Sequence, residues 1–486
     1  MQNRYSKLLF FFLLFGIWIG FFTGCKSKDR PLLAVNPADT SLVPGATEIS
    51  CWITTPDQSE LLKKQERNLI FKSDSNQFPT IVIDTSTTYQ EMDGFGFSLT
   101  GGSAFLINKL AESDRETLLN ELFGSDATSI GISYLRISIG ASDLNASVFS
   151  YDDLPKSQTD LNLQHFSLAP DKVDLIPVLR SILRINPKIK ILGSPWSAPV
   201  WMKSNGNSIG GSLLPNYYPV YAKYLVRYIT EMKTEGIPID AITIQNEPLN
   251  PDNNPSMKML ATEQRDFIKN HLGPAFKADG LSTKIILYDH NCDHPEYATT
   301  ILADPAASQY IDGSAFHLYG GEISALSKVH DAYPKKNVYF TEQWVGGPGN
   351  FSHELQWHVQ NLIIGATRNW SKNVLEWNLA SDPSYKPHTS GGCTQCEGAL
   401  TIGTYVVRNV SYYIIAHASK FVPAGSVRIG SDSSPYLPNV AFRTPEGKTV
   451  SIVLNAGTSP QTFNIKLNGK IATTTLSNGA VATYVW

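Results

Sequence analysis

Between residues 94 and 420 the chain alternates eight times between a short apolar run and a longer segment of helical periodicity. The runs are 94–97, 134–138, 190–194, 241–245, 284–288, 313–317, 337–341 and 373–377. The stretches between them include 217–234 and 354–369, where apolar residues recur every third or fourth position, the spacing of one helix face. Eight such units predict a closed (β/α)8 TIM barrel, with strands buried on both sides and helices outside. A doubly wound dinucleotide fold would need a Gly-rich phosphate loop after its first strand, and none follows residue 97. Polar and aromatic residues collect where the runs end: Arg136, Trp196, Asn246, Glu247, Asp289, His290, His317, Tyr319, Glu342 and Trp377. Barrels of this kind carry their active sites at the C-terminal ends of the strands.

After about residue 425 the texture changes. Runs 439–443, 449–454, 462–466 and 481–486 are separated by Pro445-Glu446-Gly447, Asn455-Ala456-Gly457-Thr458 and Asn468-Gly469. Short runs with turn residues between them predict an antiparallel β-sandwich. The strand-like runs 48–54 and 80–84 precede the barrel and are expected to complete that sandwich from the other chain end. The expected division is an export signal over 1–24, a tether over 25–44, N-terminal sandwich strands over 45–92, the barrel over 93–424 and the C-terminal sandwich over 425–486.

The balance of 40 Lys and Arg against 43 Asp and Glu removes one class of partner. Nucleic-acid binding needs clustered positive charge, so no nucleic-acid partner is expected. The 9 Trp, 21 Tyr and 22 Phe can instead furnish flat surfaces for the apolar face of a sugar ring.

The N-terminus reads as an address. Arg4 and Lys7 precede an apolar run of 15 residues from Leu8 to Phe22, shorter than the about 20 that span a membrane. The run ends in Phe22-Thr23-Gly24-Cys25, which looks like a bacterial lipobox with Phe22 in place of the usual Leu. The expectation is an exported protein with a lipid anchor on Cys25, an outer-membrane lipoprotein at the cell surface or in the periplasm. Ordinary signal cleavage beside an incidental cysteine is the other reading.

Four further cysteines are Cys51, Cys292, Cys393 and Cys396. In an oxidising compartment Cys393 and Cys396 can close a small disulfide loop. A zinc site would need four ligands, and only His388 lies near this pair in sequence, so neither metal nor cofactor is expected.

Two glutamates carry the chemistry. Glu247 ends the fourth run in Gln245-Asn246-Glu247-Pro248, and Glu342 ends the seventh in Tyr339-Phe340-Thr341-Glu342. Strands four and seven lie across a barrel mouth, so both side chains can face one cleft. One carboxylic acid can protonate a glycosidic oxygen while a second carboxylate attacks the anomeric carbon. Asn246, one position before the acid, can donate to a sugar 2-hydroxyl.

The chain resembles glycoside hydrolase family 30, the retaining family that includes glucosylceramidase and microbial β-1,6-glucanases. The resemblance runs from about Asp84 to the C-terminus. It rests on Asp93-Gly94-Phe95-Gly96, Leu135-Arg136-Ile137, Ser194-Pro195-Trp196-Ser197-Ala198-Pro199, Gln245-Asn246-Glu247-Pro248, Phe316-His317-Leu318-Tyr319, Thr341-Glu342, Glu376-Trp377-Asn378-Leu379 and Ser419-Lys420-Phe421-Val422-Pro423-Ala424-Gly425. It implies Glu247 as acid/base, Glu342 as nucleophile, and a sugar pocket of Arg136, Asp143, Trp196, Asn246, His317, Tyr319 and Trp377.

Each pocket residue has a structural alternative. Arg136 either braces Glu342 or touches sugar, and Asp143 either caps the following segment or holds sugar hydroxyls. Trp196 and Trp377 are expected as a floor, His317 to orient the nucleophile, and Tyr319 to donate to Glu342. Trp201, Tyr217, Tyr218 and Trp344 are possible cleft walls, with packing the preferred reading of each. The substrate implied is a β-glucan, first β-1,6-linked. Glucosylceramide is the alternative, then a β-xyloside, and last a glycan-binding surface protein without catalysis. Intact Glu247, Glu342 and Asn246 speak against the last.

Overall fold

The computed structural model describes residues 48–486, so the expected export signal, the tether and Cys25 lie outside the described residues. All eight runs become strands: Gly94–Ser98, Tyr134–Ile139, Lys190–Pro195, Ala241–Thr243, Lys284–Cys292, Ile311–Gly321, Asn337–Glu342 and Ser371–Asn378. They close into one barrel of parallel neighbours. The eighth strand meets the first at Asn373↔Gly94 and Val374↔Phe95. Gly96 lets the first two strands approach, because a β-carbon there would sit 1.9 Å from the Tyr134 carbonyl oxygen.

The barrel interior is layered. Tyr134, Leu192, Ala241, Ile286, Ala315, Tyr339 and Leu375 form one buried apolar cluster. Side chains of a strand share a face at every second residue. Two positions further along their strands stand Arg136, Ser194, Thr243, His317, Thr341 and Trp377. The floor of the site is therefore the next layer of the same barrel, and the period of two puts it there. On the fifth strand the register slips, with Ala315 opposite Tyr288 but Phe316 opposite His290. The extra residue is Asp289, and both Tyr288 (φ +75°) and Asp289 (φ +66°) take left-handed backbone. That bulge re-aims Asp289 into the polar layer.

The sandwich takes strands from both chain ends. Glu48–Thr54 pairs antiparallel with Val481–Val485, and Val481–Val485 with Thr449–Leu454. Asn439–Arg443 and Val427–Ser431 follow in order, then the long Thr80–Glu91, of which only the first five residues read as strand in the sequence. One pairing departs from the antiparallel expectation: Thr80–Glu91 runs parallel to Gln461–Leu467 through Ile81↔Ile465. The sandwich has its own core of Ile49, Ile81, Ile83, Phe463, Ile465 and Tyr484 among others. Its other face shares the barrel's core through Val440, Phe442, Val450, Ile452 and Val481. A buried imidazole fixes the joint. His417, on the helix Val410–Ser419, reaches Thr483 Oγ1 at 2.8 Å and Thr54 Oγ1 at 2.9 Å. Burial pushes its pKa down to about 3, so it stays neutral there.

Candidate active site

Glu247 leaves the fourth strand four residues after its last ladder position, Thr243. The Asn246 amide donates to the Pro195 carbonyl at 2.7 Å and the Glu247 amide to the Asp289 carbonyl at 2.9 Å, which keeps the turn tied to both neighbouring strands. Glu247 itself has φ +44°, an uncommon conformation for a residue with a side chain. Pro248 contributes, since a residue before proline is steered away from right-handed helix. Backbone of this kind persists where the surrounding fold over-determines it, and such positions cluster at active sites.

Glu342 ends the seventh strand and is nearly buried. Arg136 Nη1 donates to its Oε2 at 2.5 Å and the Tyr319 hydroxyl to its Oε1 at 3.0 Å. The donor from Tyr319 is as the sequence led us to expect. Arg136 is wholly buried and has no free face for a ligand. Its Nη2 donates to Asp289 Oδ2 at 2.9 Å, Asn246 Oδ1 at 2.6 Å and Ser194 Oγ at 3.2 Å. Of its two sequence-derived roles, the bracing one is what the geometry contains. Its hold on the Asn246 oxygen leaves the amide nitrogen of Asn246 as the donor on the pocket side.

His317 corrects an expectation. Its hydrogen bonds go to Glu247 Oε1 at 3.2 Å (Nδ1) and Asp289 Oδ1 at 3.1 Å (Nε2). Glu342 Oε1 stands at 3.8 Å, beyond hydrogen-bond reach, so the imidazole orients Glu247 rather than the other glutamate. Because one nitrogen faces both carboxylates, the two glutamates share one small space.

Asp289 is the residue that sequence reasoning noticed at a strand end but did not assign. It accepts from Arg136, Ser194 and Thr243 on Oδ2, and from Thr341 and His317 on Oδ1. Burial alone would raise its pKa, but the Arg136 charge and the His317 contact outweigh that and hold it well below the usual carboxylate range. The same surroundings lift His317 to about 9, against the effect of burial, through the charges of Glu342 and Asp289. The available signal was the pairing of Arg136 in an apolar strand with an Asp at another strand's end. A buried guanidinium needs such a partner.

Burial pushes Glu247 up, but the His317 hydrogen bond and charge hold it below its usual value. Burial raises Glu342 even against the charges of His317 and Arg136.

Asp143, Trp196, Asn246, Glu247, Tyr319, Glu342 and Trp377 all line one open pocket of about 540 Å³. Trp196 and Trp377 stack with ring centres 5.4 Å apart, and the Arg136 guanidinium lies 4.7 Å from the Trp196 ring centre. Asp143 is buried, with Oδ2 accepting the Cys393 amide at 3.2 Å and Oδ1 without a partner. Burial, with the nearby Glu342 charge, pushes it up to about 7. Cys393 and Cys396 form a disulfide in the pocket wall. Trp344 lines the pocket, the cleft-wall role that is the second of its two readings. Trp201 and Tyr217 do pack, edge to face at 5.2 Å, as Tyr218 does on Phe267. Glu247, His290 and His317 bring ligand atoms within 4.8 Å of one another, the one cluster among the described residues able to hold a metal ion. Both nitrogens of His317 are already engaged by carboxylates, which competes with that use.

A parallel barrel with two buried glutamates at opposed strand ends and stacked tryptophans beside them defines a glycoside hydrolase. Residues 92–422 match the family model "Glycosyl hydrolase family 30 TIM-barrel domain" and residues 425–484 match "Glycosyl hydrolase family 30 beta sandwich domain". The chain belongs to glycosyl hydrolase family 30. It is 36% identical over 377 residues to an endo-1,6-beta-D-glucanase of Neurospora crassa, covering 74% of this chain and 76% of that one. It is 26% identical over 437 residues to the lysosomal acid glucosylceramidase of Mus musculus, covering 84% and 83%. The solved structure of an endo-β1,6-glucanase superposes with a TM-score of 0.84 at 34% identity, over 90% of this chain and 99% of that one.

Proposed function

We propose that this hydrolase cleaves β-1,6-glucan with retention of configuration, Glu342 acting as nucleophile and Glu247 as acid and then base. The observation that carries the assignment is the asymmetry of partners. Of the two glutamates only Glu342 receives the guanidinium of Arg136 and the phenol of Tyr319, which aim it, and the Arg136 charge opposes the upward push of burial. Glu247 instead sits on an imidazole that can exchange a proton with it across 3.2 Å. In the first step Glu342 attacks the anomeric carbon while Glu247 protonates the departing oxygen. In the second, Glu247 as carboxylate activates water, which releases the sugar from Glu342. In this reading His317, lifted to about 9, is the source of the proton that Glu247 takes up once the sugar is bound.

The substrate reading has two supports. The Neurospora relative and the solved endo-β1,6-glucanase are named for this linkage. The pocket lining is also polar, with Asp252, Asn253 and Asn291 in it and Asn250 donating to Glu247 Oε2 at 2.7 Å. Hydroxyl-rich leaving groups suit such a lining better than lipid chains do. Glucosylceramide is the second reading, favoured by the similarity to the mouse enzyme. A product profile on pustulan, laminarin and glucosylceramide tests this. β-1,6-oligosaccharides from pustulan alone support the proposal, and preferential release of glucose from glucosylceramide contradicts it. For location, the proposal is a lipid anchor at Cys25 in a bacterial membrane. Cys25→Ser should move the enzyme to the soluble fraction with unchanged specific activity, and continued membrane association would reject the anchor.

A further inference from the structure

The Cys393–Cys396 disulfide stands on the wall of the pocket, and its connections run to the binding residues rather than to the fold at large. It packs with Leu144, Trp196 and Trp377 in one cluster, against which Trp344 leans. The Cys393 amide donates to Asp143 Oδ2, and the Thr389 amide to the Asp143 carbonyl at 2.8 Å. On its other side the loop joins the segment that follows Glu342. Gly346 pairs with Cys396 and Val345 with Glu397, and the Gly347 amide donates to the Gln395 carbonyl at 2.8 Å. The start of the loop is tied by Thr389 Oγ1, which donates to the Asn254 carbonyl at 2.6 Å, and by the Asn254 side chain, which donates to the Ser390 carbonyl at 2.7 Å, while Gly391, Thr394 and Gln395 are exposed. A ring that spans only a sequence separation of 3 constrains the unfolded chain weakly, so its effect is local.

We propose that this disulfide is a positioning element for the sugar pocket. It holds the Cys393 amide that donates to the Asp143 carboxylate, and it packs in one cluster with the paired tryptophans. With the bond open, the loop gains freedom that binding must then remove, while Glu247, Glu342 and their Arg136–Asp289–His317 support keep their own contacts. The effect therefore falls on substrate affinity rather than on bond cleavage. This inference rests on the proposed reaction at the two glutamates.

The test is reduction of the native enzyme with a phosphine, which with one water gives two thiols and the phosphine oxide. Thiol counts are compared with a Cys393→Ser/Cys396→Ser variant, whose remaining cysteines provide the baseline; Cys51 and Cys292 are buried. Losing an oriented hydrogen bond to a charged group corresponds to a rise in KM of about tenfold on a β-1,6-gluco-oligosaccharide. The expectation is that rise, with kcat changed by less than about threefold and the far-UV circular dichroism unchanged. The double variant should begin at the raised KM and ignore the reductant. Two new thiols with an unaltered KM would overturn the proposal. A parallel collapse of kcat, KM and circular dichroism would overturn it too, showing a merely structural bond. An unreduced enzyme inert on β-glucosides would reject the functional reading itself, an outcome visible before any reductant is added.

Discussion

One unbonded carboxyl oxygen in the pocket wall sets the pH behaviour expected of the site. Asp143 Oδ1 is buried and unbonded, and burial lifts the group to about 7. A sugar hydroxyl that donates to it favours the ionised form, so kcat/KM should climb as pH rises through about 7. Asp143→Asn should flatten that limb and raise KM by about tenfold or more, the cost of a charge-assisted hydrogen bond. A limb that survives in the Asn variant would assign it to another group. His317 bounds the profile from the other side. Its pKa near 9 means that the imidazolium is lost, and activity falls, as pH rises through that value. Arg136 acts on stability as well as on chemistry. Arg136→Met would strand the fully buried Asp289, a loss of about 3–5 kcal/mol by the usual cost of breaking a buried pair.

At the scale of the element, the fourth strand shows what backbone geometry contributes. Glu247 sits at φ +44°, where a β-carbon is unfavourable by about 1–2 kcal/mol. Glu247→Gly and Glu247→Ala both abolish the acid, and they differ chiefly in that β-carbon. The glycine variant should be the more stable in urea by about 1 kcal/mol, the reverse of the order at an ordinary strand position. An alanine variant of equal or greater stability would contradict the strained turn. The strands themselves were legible from sequence, because parallel barrel strands are buried on both faces and read as continuous apolar runs. The pocket was legible as a set of strand-end residues. What escaped was every feature made by a register slip: Asp289 enters the site through a bulge, and the direction of His317 depends on it. Val427–Ser431 and Lys470–Leu476 were missed for a different reason. Arg428 interrupts the first, where its guanidinium lies 3.5 Å from the centre of the Tyr89 ring, and Thr fills the second.

The described residues, 48–486, form one compact unit, although it contains two architectures. Phe95 of the first barrel strand meets Phe442 of the sandwich edge to face at 6.3 Å, and His417 ties the last barrel helix to strands from both chain ends. A hydrophobic core that crosses the joint predicts one cooperative transition in calorimetry, with barrel and sandwich melting together. Two separable endotherms would show that the shared core is weaker than the contacts imply. The joint also titrates. His417 is held neutral with a pKa near 3, below the about 6.5 of an exposed imidazole, so its contribution is full above about 6.5 and is lost as pH falls toward 3. The melting temperature should therefore decline on acidification from neutrality, less so in His417→Gln.

The central claim, that Glu342 attacks and Glu247 serves as acid and base, is tested most directly by azide rescue. Glu247→Ala with a dinitrophenyl β-glucoside should still glycosylate Glu342, because that leaving group needs little protonation. Deglycosylation should then stall until azide, which needs no general base, is added. Proton NMR of the product should show β-glucosyl azide, with retained configuration. Rescue of Glu342→Ala instead, giving the α-azide, would exchange the two roles and contradict the account.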